Sequence, residues 1–390
     1  MRGLYIIAAV TMAGVSSVFA LLAALEERYG LSTASLGWIA GSAFAAALIT
    51  QLSLARYADR GHGALLLRVG VLAAALGLIW FGLATELWQF VLARALLGAG
   101  VGMIIPAARR AIVLTSTGNQ GERLGVFYAA YLAGFVFGPP FAGLLTMLAD
   151  VRLPFLVLGG LVAVSSISLR SVEIPEAVRP GDGSPLADKR VLRRLVVDRR
   201  VVAAVLVVVS FRYSIGVFEP LWATHLDDLG ASTLVITLSL TCFALPMLIV
   251  AKPAGRLSDR FGPRVASVLS AAATVPLMAS YGYVGSVPLI IGMVVPHGLL
   301  EAIQSPGTQA AVADAAPVED TAAAQGLSEA AGSAAAAIGA FTAAPLFAWL
   351  GPGPAWSIAA VVMALLLATS ALMDKPRLPI HAVRRQPSGV

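Results

Sequence analysis

Charge is what this chain has least of. Of its 390 residues only 12% are Asp, Glu, Lys or Arg, while 58% are apolar and the mean hydropathy is +0.85. A soluble domain carries about 25% charged residues, so the surface that water would require is missing. That excludes a soluble enzyme and a disordered regulator. Cysteine is nearly absent too: Cys242 stands alone, so no internal disulfide can form and a disulfide scaffold is excluded. There is no Gly-x-x-x-x-Gly-Lys-Ser/Thr run to cradle a nucleotide phosphate. The histidines His62, His225, His297 and His381 are too scattered for a metal site. Neither metal nor cofactor is expected. A pI near 9.8 would suggest nucleic acid in a soluble protein. Here the basic residues flank hydrocarbon-length runs, and no nucleic-acid partner is expected.

Those runs are what the chain does have. A helix crossing a bilayer needs about 20 mostly apolar residues. Twelve runs qualify: 3–25, 35–55, 64–84, 87–110, 122–148, 153–171, 201–226, 232–254, 264–284, 287–312, 320–348 and 353–373. The first exceeds a signal-peptide core and eleven others follow, so it reads as a retained span. The Ala-rich eleventh, interrupted by Glu329, has the weakest pattern. With the N-terminus cytoplasmic, 23 of the 27 basic residues fall on the cytoplasmic side, Arg28 and Arg152 fall outside, and Arg94 and Arg212 lie within spans. This is the positive-inside pattern. Trp38, Trp80, Trp88, Trp222, Trp349 and Trp356 all fall at span ends on the outer side, as an interfacial belt would. The expectation is an inner-membrane, multi-pass protein with both termini cytoplasmic.

The longest polar stretch, 172–200, holds Pro175, Pro180, Gly181, Gly183 and Pro185, then the basic run Lys189, Arg190, Arg193, Arg194. It reads as a cytoplasmic connector ending in an amphipathic segment at the headgroups. It divides the chain into a first six-helix bundle (1–171) and a second (201–373), with a tail at 374–390. A shift of 200 residues superimposes the halves: Asp59-Arg60 falls on Asp259-Arg260, Gly98 on Gly298 and Pro106 on Pro306. The fold class is therefore an all-α membrane protein, twelve transmembrane helices in two pseudo-symmetric six-helix bundles. Duplicated bundles with a binding site where they meet are a transporter's way of building.

After the eighth run stands Gly255-Arg-Leu-Ser-Asp259-Arg260-Phe-Gly262-Pro-Arg264, and its first-half counterpart is Ala55-Arg-Tyr-Ala-Asp59-Arg60-Gly61-His62-Gly63. The former resembles the signature loop of the major facilitator superfamily, and the resemblance extends over essentially the whole chain. In the first half Ala55 and His62 stand where that family usually has glycine. The fourth run, Arg94-Ala-Leu-Leu-Gly98-Ala-Gly100-Val-Gly102, looks like the family's fourth-helix motif, whose arginine the resemblance associates with proton coupling. The fifth, Gly134-Phe-Val-Phe-Gly138-Pro139-Pro140-Phe-Ala-Gly143, is similar to the Gly-Pro motif of its drug:proton antiporters. Proline bends a helix by removing a hydrogen bond, and the glycines allow close packing.

A charge inside hydrocarbon costs about 2.5–3.5 kcal/mol on insertion scales, so the ionisable residues in the spans need partners. Arg94 calls for an acidic or polar one, or reaches the outer surface by snorkelling. Arg212 and Glu219 share a face of helix 7 but lie roughly 10 Å apart along it, so both are expected to pair elsewhere and, with the other ionisable groups of the spans, to line one water-reachable cavity between the bundles; the alternative is a structural ion pair of Arg212 with Glu301 or Glu329. His297 and Glu301, and Gln325 with Glu329, are i, i+4 pairs. These seven are the candidates for substrate binding and proton coupling. Asp59, Arg60, Gly255, Asp259, Arg260, Gly262 and Arg264 are candidates for the conformational loops, and Gly134, Gly138, Pro139 and Gly143 for the helix-5 bend. The family's drug antiporters often carry an acid inside the first helix; here Glu26 and Glu27 come only at its outer end, which moves the proton site to the second half. A cytoplasmic latch is also readable, joining Arg56 or Arg60 to Asp314, Glu319 or Asp320, and Arg260 or Arg264 to Glu122, in the outward-open state. The resulting expectation is a functional monomer in the bilayer, whose partners are a small-molecule substrate and protons. It would export small lipophilic compounds by alternating access; the alternative is import or export of a specific metabolite on the same fold.

Overall fold

The computed structural model describes residues 2–57, 62–115, 120–171 and 189–374. Asp59 and Arg60 lie outside them, as do most of the connector and the tail beyond Asp374. Among the described residues every regular element is helical. The helices are α1 (Arg2–Ala20), α2 (Leu22–Tyr29), α3 (Thr33–Tyr57), α4 (Gly63–Leu83), α5 (Leu87–Thr115), α6 (Gln120–Leu148), α7 (Leu153–Ser165), α8 (Lys189–Val197), α9 (Arg199–Asp228), α10 (Thr233–Phe261), α11 (Pro263–Tyr281), α12 (Val287–Ala315), α13 (Thr321–Leu350) and α14 (Pro352–Met373). Ten of the described helices are long and apolar enough to cross a membrane.

The twelve expected runs all fall on helical segments, α1 and α2 together forming the first, and α7 with a 3-10 helix at Ser166–Ser171 forming the sixth. Its break has a local cause. Ser16 and Ser17 donate their hydroxyls back to the carbonyls of Met12 (3.0 Å) and Ala13 (2.6 Å), one turn upstream. Such back-bonding bends helices, and the chain is non-helical at Leu21. Glu329 does not interrupt α13, which runs unbroken for 30 residues.

Helices α1 and α3–α7 pack among themselves, as do α9–α14; α13 against α3 and α10 against α6 are the main contacts between the two groups. One pair of contacts carries the duplication into three dimensions. A Cβ on Gly98 would overlap the backbone of Ala43, and a Cβ on Gly298 the backbone of Phe243. Both partners are displaced by 200 residues, so the same crossing of helices is built twice.

The loops at 30–32, 84–86, 149–152, 229–232, 282–286 and 351 form one end, here called the short-loop end; α8 and the turns at 262 and 316–320 lie at the other, the basic end. The tryptophans divide in a way the sequence does not suggest. Trp38, Trp88 and Trp349 are exposed, but Trp222 and Trp356 are fully buried. These two pack around Phe218 with Phe243, Tyr281 and His297, and Trp222 donates its indole N–H to Ser239 Oγ at 2.8 Å. They are core residues near a span end rather than members of a belt.

Candidate functional site

The contacts joining the two groups of helices gather toward the short-loop end. Glu26 on α2 accepts from the Thr224 hydroxyl on α9 at 3.4 Å and also from Thr33. Trp38 on α3 packs on Phe341 of α13, and a Cβ at Gly37 would meet the carbonyl oxygen of Ala340. The helix-5 motif contributes twice. Gly134 and Gly138 lie against the backbone of α1 at Ala9 and Ala13, while Gly143 lies against Thr237 of α10. Pro140 has no N–H for the carbonyl of Val136, one turn before it. That oxygen instead accepts from the Thr241 hydroxyl of α10 at 3.0 Å. The bend of α6 thus becomes a hydrogen bond to the opposite group.

Arg94 and Glu219 form an ion pair across the same seam, α5 to α9. Arg94 is 1% and Glu219 5% exposed. Arg94 therefore does not snorkel; its partner is 125 residues away in sequence. The rest of its guanidinium is poorly satisfied, with Nε and Nη1 buried and without hydrogen-bond partners. The pair lies about 10 Å from the start of α5 at 1.5 Å per residue.

Arg212 pairs with Glu329 of α13, at 3.7 Å, with side chains 29% and 32% exposed. Glu301 is not its partner. Tyr131 of α6 feels the charges of Arg212, Arg109 and Glu329, which brings a residue of the first group near the ion pair of the second. Gln309 donates its side-chain amide to Glu329 Oε1 at 3.0 Å, and Gln325 donates to the Gln309 carbonyl at 2.7 Å. Tyr128, stacked on Tyr131, reaches Ser305 of α12 at 3.4 Å. This polar lining, drawn from α5, α6, α9, α12 and α13, remains open to solvent. Sealed at one end and accessible toward the other, the seam is closed at the short-loop end in this state.

His297 and Glu301 form a third set, inside the second group of helices. His297 Nδ1 is 3.0 Å from the Tyr281 hydroxyl and its Nε2 lies 3.4 Å from Glu301 Oε1, all buried. The charged residues of the spans thus occupy three places, not one chamber. Of these three sets, only Arg212–Glu329 is partly solvent-exposed among the described residues. Tyr131, Gln309, Thr241 and Tyr281 went unnoticed in the sequence; of these only the Tyr128/Tyr131 pair, i and i+3 on one helix face, offered a signal.

The loop motif behaves unevenly. Gly262 has φ of +86° at the turn from α10 into α11, a conformation glycine adopts without strain. Nothing lies within 4 Å of a Cβ on Gly255, so close approach does not explain that glycine. Asp259 falls within α10, its side chain outside what is described, and Arg260 is exposed over the Phe261 ring. Arg264 pairs with Asp374 at 3.2 Å rather than Glu122, and Asp320 pairs with Arg194 of α8. Among the described residues Arg260 and Arg264 do not reach Glu122; the other half of the expected latch rests on Arg56 and Arg60, whose side chains lie outside what is described.

The model of the Major Facilitator Superfamily matches this chain twice, over residues 4–224 and 204–388. The chain belongs to the major facilitator superfamily. It is accordingly a multi-pass membrane transporter with the twelve-helix fold of that family. The multidrug resistance protein MdtG of Proteus mirabilis (strain HI4320) is 25% identical over 312 residues, covering 76% of this chain and 77% of the relative. Multidrug resistance protein 2 of Bacillus subtilis (strain 168) is 23% identical over 160 residues, 41% of this chain and 40% of the relative. Among solved structures, the nucleoside transporter NupG superposes with a TM-score of 0.78 at 13% identity, covering 96% of this chain and 99% of that one. A D-xylose–proton symporter superposes at 0.76 and 17% identity, 96% of each chain covered. At these identities the structures speak for the fold alone.

Proposed function

We propose that this transporter is a proton-coupled exporter of small lipophilic compounds in the inner membrane, with both termini cytoplasmic. Its working units are the bundles 1–171 and 201–373, joined by the connector at 172–200. The observation that carries the reading is the buried Arg94–Glu219 pair, an ionic bond between the bundles at their sealed end. A proton and Arg94 compete for one carboxylate. With Glu219 ionised the pair holds the seam shut; with Glu219 protonated the arginine loses its counter-charge in a dry place. An uncompensated buried cation is costly, and opening the seam to water relieves it. Proton entry from the outer side would then favour the outward-open state, and proton loss the closed one. Bundles rocking about a site between them follow from this. The Arg212–Glu329–Gln309 cluster, facing the open end, is where a substrate entering from the cytoplasm meets the first polar groups.

The relatives named for multidrug resistance support the export of drugs rather than of one metabolite. A gradient is an adequate energy source: one proton moving through 100 mV supplies about 2.3 kcal/mol, a concentration ratio of roughly fortyfold. The test has two arms. A susceptibility panel compares strains lacking and overproducing the protein, and proteoliposomes report which way protons move when a lipophilic substrate is added. Increased tolerance with proton counterflow supports the proposal. Unchanged tolerance to every compound, with altered secretion of one metabolite, would transfer the site to the alternative reading.

A further inference from the structure

We infer that α8 and the start of α9 form a binding site for anionic phospholipid headgroups, independent of what the protein carries. Six of the twelve residues from Lys189 to Arg200 are basic and one, Asp198, is acidic. At about 100° per residue, Val191, Leu192, Leu195 and Val196 fall on one side of α8 and Arg190, Arg193 and Arg194 on the other. The apolar side is only partly covered by protein. Leu195 is buried, and Val191 partly so, against the cluster of Val201, Ala204 and Val208 of α9, Val312 of α12 and Ala323 of α13. Val196 is exposed beside it. An amphipathic helix whose apolar stripe is half covered has a second apolar medium to meet.

Its position says which medium. Asp198 caps α9, its carboxylate accepting from the Arg200 N–H at 2.8 Å, and α9 is a membrane-length helix from Arg199 onward. Helix α8 therefore lies at the level where that span leaves the hydrocarbon. The ion pair from Arg194 to buried Asp320 fastens it to the start of α13. Arg193, Arg199 and Arg200 remain exposed, at headgroup depth, on guanidinium forks suited to phosphate oxygens. Val196, next to Arg193, would rest against the acyl chains beneath the headgroup that Arg193 holds. A zwitterionic headgroup offers the same phosphate but no net charge, so the preference is for an anionic lipid.

Each cation near an anionic leaflet is worth about a fivefold gain in binding. The test titrates phosphatidylglycerol or phosphatidylcholine into detergent micelles of the full-length protein and follows the thermal unfolding midpoint. Phosphatidylglycerol should stabilise the native protein more than phosphatidylcholine does. The variant Arg193→Gln/Arg199→Gln/Arg200→Gln should need roughly a hundredfold more of it for the same shift. A control removing three exposed arginines away from α8 and α9, Arg2→Gln/Arg28→Gln/Arg68→Gln, should shift the response far less than the first variant does. An unchanged response in the first variant, or an equal loss in the control, would overturn the inference. Should the first variant fail to fold, the native protein decides alone: its preference must fade at high ionic strength, and a preference indifferent to salt would count against the site.

Discussion

Arg94 and Glu219 are each deeply buried and each is the other's counter-charge. Removing one member of such a pair leaves the other uncompensated, at a cost of about 3–5 kcal/mol. Glu219→Ala should therefore destabilise the solubilised protein by an amount in that range, read as a lowered unfolding midpoint. Replacing both partners by apolar residues, Arg94→Met with Glu219→Leu, should recover most of that loss while leaving transport abolished. A double variant that transports would show that the pair serves structure alone. Each charge needed a partner on the evidence of the sequence, but nothing in it named which one. The two lie 125 residues apart, with no periodicity linking them, and the alternative of snorkelling was physically sound until the helix packing closed it off.

Close packing at the scale of whole helices rests on a few glycines, and the loop and helix-5 motifs separate by this criterion. Gly134→Ala places a methyl against the Ala9 carbonyl, so α1 and α6 must part; overpacking of this kind costs about 1–3 kcal/mol. Gly255→Ala enters open space in α10 and should be neutral or stabilising by up to about 1 kcal/mol. Thermal unfolding of the two variants side by side checks the contrast. Thr241→Val removes the donor to the Val136 carbonyl, which Pro140 has already deprived of its helical partner. It should weaken the α6–α10 seam by about 1 kcal/mol and raise labelling of a cysteine placed at Thr237. Helix 5 was legible as a bent, small-residue helix from its glycines and prolines. The use made of its freed carbonyl was not, because the donor belongs to another helix.

The whole molecule stands closed at the short-loop end, and one titratable group reports on that closure. Burial raises the Glu26 carboxyl above the ordinary carboxylate range, with Thr33 opposing and Asp228 and Asp227 adding repulsion. A raised carboxyl binds its proton more tightly in the closed state than when exposed. Its contribution to closure is therefore full below the ordinary carboxylate value and falls away as pH rises through the raised one. Spin labels at Ser32→Cys and Ser232→Cys, in a Cys242→Ser background, should show the short-loop end opening more often as pH rises through that window. Glu26→Gln should remove this rise with pH and leave the opposite response, opening on acidification, that protonation of Glu219 produces; a rise of the same size in that variant would remove Glu26 from the mechanism.

Span number, duplication and the turn of the second loop motif were set by one-dimensional patterns: hydrocarbon demands a fixed length of apolar helix, and a duplicated bundle repeats its glycines at a fixed interval. The tryptophans show where that kind of pattern stops, since depth in the membrane is a property of sequence position but facing lipid or core is not. The choice of partner among buried charges, the end at which the seam is sealed and the division of the ionisable residues into three sets belong to tertiary structure. Each depends on which faces of distant helices meet, and a chain of nearly uniform apolar helices carries almost no local signal for that.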